Sequence, residues 1–77
     1  MSLTEAPEGV ELKVLKINAG LEAKMRLCSM GIQLDNTLVK INKTNWGPVL
    51  VKCFDNSPNK LAIGRNIAEK IEVIYEN

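Results

Sequence analysis

The chain contains no histidine, which removes the commonest general base and the commonest metal-ligating side chain together. Aromatics are nearly absent: one Trp, one Tyr and one Phe in 77 residues, a thin supply for stacking nucleic-acid bases. The net charge of +1 gives no electrostatic reason for a polyanionic partner. Cys28 and Cys53 match no CxxC spacing, and both are expected to be small buried apolar residues. The carboxylates are scattered and do not pair at i, i+3 or i, i+4 on a helix, so no ferrous site, catalytic residue or cofactor is expected. GxxxxGK[ST] and GxGxxG are missing, which excludes nucleotide binding through those loops. No apolar run approaches the roughly 20 residues that span a bilayer, and direct membrane insertion is not expected. The opening Met-Ser-Leu-Thr-Glu has neither a basic nor an apolar leader region, so a reducing cytoplasm is the expected compartment.

What is present is a series of short alternating strands interrupted by a helix. Leu21, Met25 and Cys28 recur at i, i+4 and i+7, widened by Leu27 and Met30, and predict a helix over 21–32 with that stripe in the core. Glu22 and Arg26 are placed for an i, i+4 ion pair, Gly31 for the helix stop and Asn18 for its cap. Before the helix, 10–17 alternates through Val10, Leu12 and Val14, then slips by one residue, the signature of a bulge or bend. Leu3 is available to pack on the core. After the helix, Leu34-Asp35-Asn36 marks a turn. Strands follow over 37–43, with Val39 and Ile41 inward, and over 49–54, with Val49, Val51 and Cys53 inward, joined by a hairpin loop carrying Trp46. A dense turn at 55–59, a short strand at 60–63, a helical turn at 64–68 and a strand over 71–75, with Ile71, Val73 and Tyr75 together, complete the chain. The fold class is mainly β with one short α-helix, a small five-stranded SH3-like barrel whose closure would leave no free edge. At this length residues 1–77 are expected to form one domain, since such a chain buries only about 60% of its unfolded surface.

Gly9, Arg26-Leu27, Met30-Gly31-Ile32, Gly47-Pro48, Leu61-Ala62 and Ala68-Glu69-Lys70-Ile71-Glu72-Val73, in that order, resemble the pattern of the ferrous iron transport protein A (FeoA) family. Leu34-Asp35 stands where that family commonly has a Pro-Gly turn. The resemblance implies an SH3-like cytoplasmic protein that assists or regulates FeoB, a membrane ferrous-iron transporter carrying a GTPase domain. A similar domain is fused to metal-dependent transcriptional repressors, whose helix-turn-helix this chain has no room for, and no nucleic-acid partner is expected.

Alternation supplies a candidate partner surface. With Val39, Ile41, Val49, Val51 and Cys53 inward, Leu38, Leu50 and Phe54 fall outward beside Lys40 and Lys52, and Trp46 tops the adjacent loop. The strand residues are read equally as a docking surface or as positions covered by a terminal segment or the helix, Trp46 is read as interface, and docking on a partner is the leading functional reading. The alternatives are a metal-responsive accessory or sensor and, third, an RNA-binding barrel.

Overall fold

The computed structural model describes residues 1–42, 46–53 and 60–76. In β1 (Glu11–Ile17) alternation buries Leu12 and Val14 and turns Glu11 outward. The expected bulge is present: the register with the last strand runs Val14 to Val73, then Lys16 to Glu72, leaving Leu15 extra and exposed. That shift returns Ile17 to the core.

The helix, α1 (Leu21–Ser29), ends short of Ile32. Gly31 adopts φ 94° as expected, and the Ile32 amide turns back to the Leu27 carbonyl at 2.9 Å, so Ile32 drops into the core below the helix. The N-cap is Gly20, with no side-chain bond, whereas Asn18 uses its amide on the Lys70 carbonyl. The inward stripe also differs from expectation. Leu27 is buried with Ala23 and Met30 half-buried, while Leu21, Met25 and Cys28 face water. The helix carries two apolar rows on roughly opposite sides, and a small sheet covers only one of them.

Asp35, at φ 70°, makes the turn into β2 (Thr37–Lys40), tied at both sides by Asp35 N to Val14 O and Asn36 Nδ2 to Gly31 O. Next come β3 (Val49–Cys53), β4 (Lys60–Ile63), the short helix α2 (Arg65–Ala68) and β5 (Ile71–Tyr75). All pairings are antiparallel, in the order β4-β3-β2-β1-β5. The sheet curls into the expected SH3-like architecture, but no β4–β5 ladder closes it among the described residues. Expected strand and loop positions at 43–45 and 54–59 lie outside the described residues.

The face assignment of β2 is the opposite of the sequence expectation. Leu38 is fully buried and Lys40 is 3% exposed, whereas Val39 and Ile41 are half-buried on the outer side. Leu38 pairs with Cys53 and Lys40 with Val51, so these side chains share the inner face with Val49. A lysine tolerates this position because its stem is apolar and its ammonium reaches the carbonyls of Thr4 and Ala6 at 2.9 and 3.0 Å. Tyr75 is likewise exposed rather than packed with Ile71 and Val73, although it stands opposite the buried Leu12 in the ladder with β1.

The segment bound by Lys40 is itself ordered by Ser2-Leu3-Thr4-Glu5. The Ser2 amide donates to Glu5 Oε1 at 3.0 Å, and the Glu5 amide donates to Ser2 Oγ at 3.3 Å, a reciprocal capping box. This turn drops Leu3 into the core as expected, and its lead-in pairs along β5 through Leu3 N to Ile71 O and Val73 N to Met1 O.

Lys40→Met keeps the stem and removes the ammonium, leaving the Ala6 and Thr4 carbonyls short of a donor. We expect a loss of about 1–3 kcal/mol, read by denaturant unfolding, with faster exchange of the Gly9 and Leu3 amides. In α1, Leu27→Ala is expected to cost about 2–5 kcal/mol, while Met25→Ala stays within about 0.5 kcal/mol. The Ser2 amide bond holds the Glu5 carboxyl below its ordinary value. The unfolded chain therefore binds this proton more readily, so the contribution is present above the ordinary carboxylate range and lost as pH falls through the lowered value. The Ser2 amide shift should titrate accordingly, and Glu5→Gln should abolish that titration.

Candidate functional site

Three surface regions present apolar side chains to water. The first is the loop before β3. Asn42 braces it from both sides, donating through Nδ2 to Pro48 O at 3.2 Å and accepting the Leu50 amide at Oδ1 at 2.8 Å. Gly47 turns at φ 78°, and its carbonyl accepts Arg65 Nε at 3.2 Å, which ties the loop to the start of α2. On this braced loop Trp46 is 79% exposed, as the sequence anticipates.

The second region is the outer face of β2, β3 and β4. Leu50 and Lys52 point outward as expected, joined by Val39 and Ile41 rather than by Leu38 and Lys40, which the register places inside. Phe54 lies outside the described residues. A shallow depression of about 540 Å³ here is lined by Val39, Ile41, Lys52 and Lys60, with Glu8 at its margin. Thus of the six candidate residues the structure puts Trp46, Leu50 and Lys52 at the surface and removes Leu38 and Lys40 from it.

The third region was not anticipated. Leu21 is 74% and Met25 63% exposed on the solvent side of α1, and Leu34 is 57% exposed on the adjoining turn. Beside this row runs a groove of about 420 Å³ whose apolar wall is Ile17, Cys28, Ile32 and Leu34 and whose rim carries Lys16 and Lys24. The signal was in the sequence: Leu21, Met25 and Cys28 form one row, Ala23, Leu27 and Met30 another, and a single core can take only one. Cys28 therefore lines a groove rather than the core, and only Cys53 is buried; both thiols are free.

Glu22 and Arg26 form the expected i, i+4 pair at 3.8 Å, and Lys13 meets Asp35 at 3.7 Å, both pairs solvent-exposed and of small energetic weight. Among the described residues no group of three or more Cys, Asp or Glu side chains converges as a metal cluster, and no helix is long and apolar enough to cross a membrane.

Comparison with known proteins places this geometry. A protein of Methanocaldococcus jannaschii assigned as an Fe(2+) transport protein A is 44% identical over 71 residues, covering 92% of this chain and 82% of that protein. The crystal structure of an iron uptake regulatory protein (FeoA) superposes with a TM-score of 0.83 at 26% identity, covering 95% of this chain and 93% of the other. A manganese-dependent transcriptional repressor shares the fold at a TM-score of 0.84 and 22% identity, with 99% of this chain matching 41% of the repressor. The FeoA domain model matches residues 1–75, and the chain belongs to the FeoA domain family.

Proposed function

We propose that this protein is a non-enzymatic, cytoplasmic accessory of ferrous-iron transport, which docks on the cytosolic part of the membrane transporter FeoB and biases its GTPase cycle or gating. The observation that carries this reading is the solvent-facing row of Leu21 and Met25, continued by Leu34 and edged by Lys16 and Lys24. A chain this small gains stability by burying such residues, and a helix that instead displays them is suited to a partner. Trp46 supplies a second anchor of the kind that dominates interface energetics. The family and the Methanocaldococcus jannaschii relative, assigned to Fe(2+) transport, support the iron-transport setting.

The mechanism is differential binding. An accessory that binds one transporter state more tightly shifts the population towards that state, and an equal affinity for both states shifts nothing. No step requires a group of this chain to touch iron or nucleotide.

The test is a calorimetric titration of the full chain with the transporter's cytosolic domain, loaded in turn with GDP and a non-hydrolysable GTP analogue. Binding is expected to differ between the two states. Met25→Glu is expected to weaken binding about tenfold or more with unchanged thermal stability, and Trp46→Ala to weaken it in the same direction. Equal affinity of wild type and both variants would overturn the surface assignment, and equal affinity for both nucleotide states would overturn the mechanism.

A further inference from the structure

The two margins of the sheet are treated differently. At β5 the lead-in segment pairs with the outer edge, Leu3 N donating to Ile71 O and Val73 N to Met1 O, with Ser2 bridging Glu72. At β4 no such cover exists among the described residues. The direction of its free polar groups follows from the ladder. Leu50 spends its carbonyl on Ile41 N and its amide on Asn42 Oδ1, both on the β2 side. In an antiparallel sheet the amide and carbonyl of one residue point the same way, and those of its neighbours the other way. Val49 and Val51 therefore face β4 and bond their partners Ile63 and Leu61. Lys60 and Ala62 consequently turn both amide and carbonyl away from β3, towards the open edge.

Two further observations say what suits that edge. Alongside it lies an apolar groove of about 340 Å³, walled on one side by Ile63 of β4 and Ile67 of α2 and on the other by Ala23, Leu27 and Met30 of α1, with Arg26 at the rim. On the outer face, register places Glu11, Val39, Lys52 and Lys60 in one cross-strand row. Lys52 and Lys60 are thus directly opposed like charges, a destabilising arrangement, and neither has an ion-pair partner within 4 Å among the described residues. The next place in this row, beyond Lys60, belongs to whatever pairs with β4.

We propose that the β4 edge is a strand-addition site for an extended acidic peptide segment of a partner protein. Its backbone bonds the amide and carbonyl groups of Lys60 and Ala62. Alternate apolar side chains enter the groove between β4 and α1, and the intervening carboxylates lie on the outer face against Lys60 and Lys52. The main-chain bonds supply affinity and the alternation supplies selectivity. A second copy of this chain is a poorer occupant, because its own β4 brings further lysines to a rim that is already cationic. The site lies on the opposite side of α1 from the Leu21–Met25 row, so it stands or falls apart from the docking proposed above.

The probe is an end-capped hexapeptide alternating glutamate and valine, titrated into the nitrogen-15-labelled full chain to about 1 mM, with a lysine-for-glutamate peptide as its counterpart. Saturable shifts are expected at Leu61 to Gly64 and at Ala23, Leu27 and Met30, with the Ala62 amide exchanging about tenfold or more slowly when bound. The lysine peptide is expected to bind at least about tenfold more weakly. Ala62→Pro removes a free edge donor, a change that edge strands tolerate, and should abolish binding. Lys60→Glu should reverse the preference between the two peptides, and it carries the test should the proline variant unfold. Absence of shifts to the end of the titration, shifts confined to Leu21 and Met25, or an unreversed preference in Lys60→Glu would each overturn the site. So would an Ala62 amide protected without peptide in proportion to protein concentration, which would assign the edge to a second copy.

Discussion

The bond between the Lys40 ammonium and the carbonyls of Thr4 and Ala6 decides which way β2 faces, and most of the surface follows from that. A strand has two faces and one register choice. With Lys40 inside, Leu38 must be inside and Val39 and Ile41 outside. The ammonium is acceptable there because the first nine residues lie across it and present carbonyl oxygens. The same residues fix themselves by the Ser2–Glu5 capping box, by Leu3 in the core and by Gly9 N on the Lys40 carbonyl at 2.9 Å. Lysine and lead-in segment are mutually dependent, since a buried ammonium without acceptors is costly and buried carbonyls without donors are nearly as poor.

A chain of 77 residues has little core to offer, and α1 shows the consequence. Leu27 is buried with Ala23 and Met30 half-buried, while Leu21 and Met25 of the other apolar row stay exposed. The helix positions that row rigidly, with its ends set by Gly20 and Gly31. A side chain held this way loses less freedom on association than one on a mobile tail, which favours binding. On the far side of Trp46, side-chain bonds from Asn42 and Arg65 hold the backbone of Pro48, Leu50 and Gly47.

The sheet margins follow a similar economy of material. Covering the β5 edge uses the lead-in segment that Lys40 also needs, and the chain has no second free segment among the described residues to lay against β4. The lysine at the start of that strand and its short length restrain indiscriminate pairing there.

Local patterns sufficed for a good part of this. The alternation through Leu12 and Val14, the slip at Leu15, the stop at Gly31, the left-handed turn at Asp35 and the inward set Val49, Val51 and Cys53 are all written in neighbouring residues, because each depends on backbone preferences or a period of two. Trp46, Leu50 and Lys52 were legible as surface for the same reason. Three matters were not. Whether Leu38 and Lys40 or Val39 and Ile41 faced inward, which apolar row of α1 met the sheet, and whether the barrel margins paired all turn on what lies across space from them. The sequence determined the elements and the family, through short-range sterics and periodicity. Only the tertiary structure decided the faces, because a lysine becomes a core residue, or a leucine a surface one, solely according to the groups that a distant segment brings beside it.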